Sequence, residues 1–271
     1  MKFLTSGKVK DVYEITNDKL LFRFTDRISA FDVQFDDLIP HKGKILCKFS
    51  KFWFEHIDYP NHFITIKSNR EIIVKKLKML PVECIVRGYF YGSIVERYKN
   101  NLIKIKQSEL PLASKLNKPI FDPTTKAMHD LPINKNDLAE QNSIPVTMFN
   151  NLSRISIKIY EQMSKIIDSS GFILADLKLE FGLLEDKIIL ADSIGPDECR
   201  LWSKKSYKEG FIQDSFDKQI LRDWLILHNY KQKFESARQK MITPIAPKLP
   251  IDLISKISNR YIYIYNKIVN K

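Results

Sequence analysis

Residues Phe172 to Asp192 read FILADLKLEFGLLEDKIILAD, and their alternation sets how the rest of the chain is read. In an extended strand every second side chain shares a face, so Asp176, Lys178 and Glu180 project together while Leu177, Leu179 and Phe181 point to the other side. Gly182 and the acidic pair Glu185-Asp186 predict a hairpin, and a loop centred on Asp186 sets Asp192 directly opposite Glu180. Two carboxylates held that close repel unless a cation lies between them, and a hard, oxygen-ligated ion such as magnesium meets the need. Glu180 and Asp192 are therefore candidate metal ligands. A strand with one solvated charged face accounts for Lys178 equally well. It does not account for a return strand, Ile188 to Ala191, that is wholly apolar and then ends in a lone acid ahead of IGPDECR.

Two further clusters lie upstream. In MLPVECIVRGYFYGS, Met79 to Ser93, Arg87 emerges from the end of an apolar strand and Gly92-Ser93 follows one turn later. A guanidinium, a glycine backbone and a hydroxyl can converge there on a phosphate, or Ser93 can simply cap a helix. In GKVKDVY, Gly7 to Tyr13, the alternation puts Lys8 and Lys10 on one strand face beside a glycine. That is a cradle for phosphate oxygens, or an edge strand whose charges prevent aggregation.

Around these clusters the order of elements is strands first, helices later. Strands are predicted over 8–15, 20–24 and 30–35, a helix over 44–57 with Ile45, Phe49, Phe52, Trp53 and Ile57 on one side, and strands over 63–67 and 71–77. Pro81 marks a break before VECIV. Residues 100–147 carry five prolines and no sustained period, which predicts a long irregular stretch. A helix follows through Leu152, Ile155, Ile159, Met163 and Ile166, ended by Ser169-Ser170-Gly171. Another starts near Ser215 with Phe216, Ile220, Trp224 and Leu227 on one side, and the last starts near Pro250 with Ile254, Ile257, Tyr261, Ile264 and Ile268 in one stripe. The expected class is α+β.

Composition narrows the function. In 271 residues, 44% apolar and 28% charged, a full core is affordable and wholesale disorder is excluded. A net charge of +12 favours anionic partners. Cys47, Cys84 and Cys199 form no CxxC pair, so a disulfide framework and a zinc knuckle are excluded and a reducing, cytoplasmic setting is expected. No stretch approaches the ~18 apolar residues of a membrane span. The eight glycines allow neither GxGxxG nor GxxxxGK[ST], and HExxH and GxSxG are also missing.

The clusters, in this order, resemble the SAICAR synthetase family. The resemblance covers nearly the whole chain, through GKVKDVY, TDRISAFD, KFWFEHI, LPVECIVRGYFYGS, KPIFDPTTKA with HD, ADLKLEFG, PDECRLW, SFDKQILRDWL and RYIYIYNK. It implies an antiparallel, nucleotide-binding N-terminal lobe over 1–80, a larger α+β lobe over 81–271, and an ATP cleft between them. It also implies an ATP-dependent ligase that joins L-aspartate to carboxyaminoimidazole ribotide (CAIR) through an acyl phosphate, with Mg2+ as cofactor. No nucleic acid or membrane partner is expected, and the oligomeric state, monomer or homodimer, is left open.

Carried onto this sequence, the resemblance gives Gly7, Lys8, Lys10, Met79, Val82 and Glu83 to ATP, and Glu180 and Asp192 to the metal. Lys178 lies between nucleotide and reacting carboxylate. Arg87, Ser93, Asp197, Arg200 and Asp32 go to the ribotide, and Lys126, His129 and Asp130 to aspartate. The chain departs from the family pattern at Tyr91, at Ser193 and at Glu198-Cys199. Two other readings stand beside this one. They are a small-molecule kinase on a related nucleotide-binding framework, and a basic nucleic-acid-binding protein suggested by lysines interleaved with aromatics.

Overall fold

A computed structural model of the chain describes residues 1–107, 109–126, 132–133 and 144–270. The N-terminal part holds β1 (Lys2–Ser6), β2 (Lys10–Thr16), β3 (Lys19–Phe24), the hairpin β4 (Arg27–Ala30) and β5 (Val33–Leu38), helix α1 (Lys42–His56), β6 (Phe63–Ser68) and β7 (Glu71–Lys75). Five of these strands form an antiparallel sheet in the order β1-β2-β3-β7-β6. Helix α1 covers it with Ile45, Leu46, Phe49 and Trp53.

The remainder holds β8 (Lys78–Met79), β9 (Val82–Tyr89), α2 (Ser93–Lys99), β10 (Lys115–Phe121), β11 (Thr124–Thr125), α3 (Val146–Ser169), β12 (Phe172–Leu184), β13 (Lys187–Ala191), β14 (Cys199–Ser203), α4 (Gln219–Leu227), α5 (Tyr230–Gln239) and α6 (Ile251–Ile268). Its seven strands form a second antiparallel sheet in which β12, 13 residues long, pairs with β9, β13, β14 and β8. Long alternating β12 is the spine. Its apolar side, Leu177, Leu179 and Phe181, is buried with Cys84 and Val86 of β9 and with Leu152, Ile159 and Met163 of α3. One continuous core joins both sheets, and His62 N–H donating to the Leu190 carbonyl at 3.0 Å and Leu190 N–H to the Pro60 carbonyl at 3.0 Å tie the two halves at the backbone.

Several local expectations change. The strand over 30–35 is a hairpin that turns at Phe31 and Asp32, both left-handed (φ 50° and 57°). The strand expected from Lys8 starts at Lys10, because Gly7 to Val9 form the β1–β2 turn, closed by Gly7 N–H donating to the Lys10 carbonyl at 2.8 Å. Lys8 and Lys10 therefore do not share a strand face. The stretch over 100–147 contains β10 and β11, short edge pairings to β9 that its prolines concealed. Helix α4 buries Leu221 and Leu225, one residue on from the face expected, and Leu227 is exposed. Helix α3 ends as its sequence predicts, with left-handed Gly171 (φ 84°) just past the terminus.

Gly88 tests the packing of α3 on this sheet. A Cβ there would lie 1.8 Å from the hydroxyl of Tyr160, which donates to the Leu174 carbonyl at 2.6 Å. Gly88→Ala should cost at least about 1–3 kcal/mol and lower the melting temperature by several degrees. An unchanged melting curve would refute this account of the α3 interface.

Candidate active site

The β9–β12–β14 register builds the charged face. Asp176 stands opposite both Arg87 and Arg200, Lys178 stands opposite Ile85, and the series brings Glu83 beside Lys178. Residues opposite each other in an antiparallel pair share a face, so one row of ionic side chains lines the open side while the intervening residues are buried. Arg200 donates to Asp176 at 2.6 Å and Lys178 to Glu83 at 2.9 Å, with Glu180 3.6 Å from the same ammonium.

The hairpin differs from expectation by one residue. Leu184 pairs with Lys187 across a two-residue turn at Glu185 and Asp186, both left-handed, so Ala191 and not Asp192 lies opposite Glu180. The turn sits between the two acids, because a tight hairpin twisted like its strands needs two residues with positive φ. Asp192 comes just past the end of β13 with φ 61°, off the ladder. Lys10 donates to Asp192 at 2.7 Å and to Ser193 at 2.9 Å, and Glu180 is paired with Lys126. Ser193 thus supplies a neutral acceptor to the Lys10 ammonium.

Two clefts open on this face. The larger, about 790 Å³, is lined on its apolar side by Val12, Leu20, Phe22, Leu77 and Met79 and on its polar side by Gly7, Lys8, Lys10, Glu83, Glu180 and Asp192. Val82 is buried in the core and does not line this cleft. The smaller, about 570 Å³, is lined by Arg87, Tyr91, Gly92, Ser93, Asp176 and Arg200. Phe31, Lys178, Asp197, Glu198 and Arg222 line both and form the common wall. Asp32 does not join the other ribotide candidates: it lines the larger cleft and pairs with Lys8 at 2.7 Å, because its turn carries it over the Gly7 loop. Lys126 reaches the larger cleft, whereas His129 and Asp130 lie outside the described residues.

Electrostatics differ sharply along the wall. Burial alone would lower the Lys178 pKa, but Glu180, Glu83, Glu198 and Asp192 outweigh it and raise the value, so Lys178 is a permanent cation at neutral pH. Burial would raise Asp192, yet Lys10 and Lys178 bring it down to about 2. Glu198 is pushed up to about 7 by burial and by the charge of Asp197. His62, which shares its Nε2 with the Asp192 carbonyl at 2.9 Å, is brought down to about 4 by burial and is neutral near pH 7.

Asp197 is buried and saturated. Lys42 and Lys218 lie 2.8 and 2.9 Å from one oxygen, and the Tyr261 hydroxyl donates to the other. Lys42, Lys218, Arg222 and His62 escaped the sequence reading. Lys218 and Arg222 fall within SFDKQILRDWL, which was informative only as a whole, while Lys42 and His62 carry no local pattern that distinguishes them from ordinary helix-end and strand residues.

A metal of magnesium's type is met by two carboxylates plus phosphate and water oxygens. Among the described residues no group of three or more His, Cys, Asp or Glu side chains is arranged as a complete metal site. The donor set of Glu180 and Asp192, each neutralised by a lysine, fits an ion that completes its shell from a ligand.

Comparison with known proteins bears on this geometry. The family described as SAICAR synthetase matches residues 3–239. A phosphoribosylaminoimidazole-succinocarboxamide synthase of Nitrosopumilus maritimus is 54% identical over 272 residues, covering 100% of this chain and 99% of that protein. One of Thermodesulfovibrio yellowstonii is 39% identical over 96% of this chain and 93% of its own. Among solved structures, SAICAR synthase of Saccharomyces cerevisiae complexed with SAICAR superposes with a TM-score of 0.84 at 33% identity, over 99% of this chain and 95% of that one. A SAICAR synthetase in complex with ADP gives 0.76 at 27% identity, over 98% and 97%.

The Asp197 cluster yields a stability prediction. Asp197→Asn strands Lys42 and Lys218 in the interior and should cost about 3–5 kcal/mol in urea unfolding, with Lys42→Met in the same chain recovering part of it. Burial tends to raise the Asp197 pKa, but Lys218 and Lys42 hold it well below the ordinary carboxylate range. Its contribution is therefore complete above about pH 5 and is lost as the pH falls through the folded value. A loss below about 1 kcal/mol at pH 7 would rule the network out as a structural anchor.

Proposed function

Because the chain belongs to the SAICAR synthetase family, and is an ATP-dependent ligase of purine biosynthesis, we propose that its two clefts divide the reaction between them. The larger takes ATP and the smaller takes the ribotide, CAIR, with Lys178 on the wall they share. The shared wall is the observation that carries this reading, because a phosphoryl group must pass from one substrate to the other without crossing water. The structural neighbours complexed with ADP and with SAICAR support it. The N-terminal sheet and the segment after residue 80 act as the two lobes that flank the larger cleft, and cytoplasmic action belongs to the same reading. Among the described residues no helix is long and apolar enough to cross a membrane.

The reaction activates a poor electrophile. A carboxylate oxygen of the ribotide attacks the γ-phosphorus of ATP, and the bond to the bridging oxygen breaks and releases ADP. The aspartate amine then attacks the acyl carbon and inorganic phosphate leaves, with loss of a proton from nitrogen. Val12, Leu20, Leu77 and Met79 offer an apolar slot for a base, and the Gly7 turn and Lys8 lie over the phosphates. Lys10 and Lys178 place two cations beside the transferring group. Lys178 cannot serve as a base at neutral pH, since its four acidic neighbours keep it protonated. It acts as a fixed positive charge that stabilises charge building on the phosphoryl oxygens and costs no reorganisation.

Glu180 and Asp192 would hold Mg2+, whose contribution when bound is to neutralise phosphate charge. Arg87, Ser93, Arg200 and Arg222 face the ribotide, with Asp197 on the wall fixing Lys218 of the larger cleft and Asp32 fixing Lys8. Lys126, with His129 and Asp130, is assigned to the aspartate side, where a dianionic amino acid needs cations. The basic surplus of the chain suits substrates that are all anions, and no nucleic-acid partner is needed to explain it.

Three measurements test the assignment. Lys178→Ala and Glu180→Gln should each lower kcat by at least about a hundredfold with melting temperature little changed, and near-normal turnover in either would overturn the site. Arg222→Ala should raise the KM for the ribotide about tenfold and the KM for ATP by much less. Arg222 is the better probe than Arg87, which is buried between Asp122 and Asp176 and whose loss would also destabilise the fold. ADP release should need the ribotide and be slow or nil without aspartate. Full-rate ADP release with no aspartate present would instead make the chain a kinase.

A further inference from the structure

The strand-to-helix junction Tyr91-Gly92-Ser93 is shaped around two arginines. The Tyr91 ring lies under the Arg200 guanidinium, 5.0 Å from ring centroid to carbon. Gly92, at φ 76°, leaves room on another side: a Cβ there would come within 2.7 Å of Arg200 Nη1. The Tyr91 carbonyl is 3.5 Å from Arg87 Nη1, and Arg87 Nη2 donates to Ser93 Oγ at 3.0 Å. Three consecutive residues thus supply a π-face, an absent side chain and a hydroxyl to one pair of cations.

The ring itself is held. It packs edge-to-face with the Trp202 indole, centroids 5.1 Å apart at 73°. Asp176 accepts from Arg200 Nη1 at 2.6 Å, Asp217 lies 3.9 Å from Arg200 Nε, and Nε has no hydrogen-bond partner. The acids engage two different nitrogens of the guanidinium, and the orientation of its plane is set also by what covers its face. Tyr91 covers that face.

We propose that Tyr91 is a positioning residue for the ribotide: by stacking on Arg200 it fixes the plane in which that guanidinium is presented to the smaller cleft. The inference rests on the assignment of that cleft to the ribotide. Tyr91 acts through Arg200, so its effect belongs to capture of one substrate and not to the phosphoryl-transfer step.

The test is steady-state kinetics with each substrate varied in turn, on wild type, Tyr91→Phe, Tyr91→Leu, the milder Tyr91→Met, and Arg200→Lys. Ribose 5-phosphate serves as a competitive probe of the cleft. Tyr91→Leu and Tyr91→Met should raise both the KM for the ribotide and the inhibition constant of ribose 5-phosphate by roughly tenfold, the scale of a largely desolvated stack on a guanidinium. The kcat and the KM for ATP should stay within about twofold of wild type, and Tyr91→Phe, which keeps the ring, should behave as wild type. Leucine performing as well as phenylalanine would overturn the proposal, as would parallel losses for all three substrates, which mark a general structural role. If Arg200→Lys raises the ribotide KM while Tyr91→Leu and Tyr91→Met do not, the stack alone is refuted. If Arg200→Lys leaves that KM unchanged, the assignment of the cleft itself fails.

Discussion

The antiparallel register of β9, β12 and β14 is the constraint on which the site depends. It places Asp176 between Arg87 and Arg200 and sets Lys178 beside Glu83 and Glu180, all on one side of a sheet whose other side is buried against α3. A slip of one residue along β12 would bury that charged row and expose Leu177 and Leu179. The hydrophobic cost of such a slip is what holds the ionic geometry, so packing on the closed face determines chemistry on the open one.

On the open face the charges are arranged in pairs that leave each member a definite state. Lys178 is kept charged by acids, Asp192 is kept ionised by lysines, and Glu198 is poised near neutrality where burial and Asp197 meet. The same logic runs in reverse at Lys42, whose pKa burial lowers although Asp197 opposes it. Buried ionic networks of this kind add little stability relative to an apolar core of the same shape. Their return lies in orientation, since Asp197 joins α1, α6 and the segment before α4 at the wall between the clefts.

The lysines on the two acidic candidates show how the cleft tolerates its own charge. Lys126 on Glu180 and Lys10 on Asp192 are ammonium groups at the oxygens that a divalent ion would take. Both come from outside β12 and β13, one from the segment after β11 and the other from the start of β2. The carboxylates are thus neutralised by neighbours that lie outside the strands that carry them.

Much of this was legible in the order of residues. Alternation in FILADLKLEFG determined a strand with a charged face and a buried face, the glycine census excluded the common nucleotide loops, and the ordered motifs identified the family and its ligase activity. What depended on distance through space was not legible. The register at Glu185-Asp186 turns on two left-handed residues, and it shifts Asp192 off the ladder by one position. The separation of Lys8 from Lys10 and of Asp32 from Arg87 follows from turns whose φ angles no periodicity reports. Lys42, His62, Lys218 and Arg222 enter the site from elements far apart in the chain. Local sequence specifies which face a side chain occupies, because the periods of strand and helix are local properties of the backbone. Only the tertiary structure decides which charges meet, because that depends on how the two sheets are joined through one core.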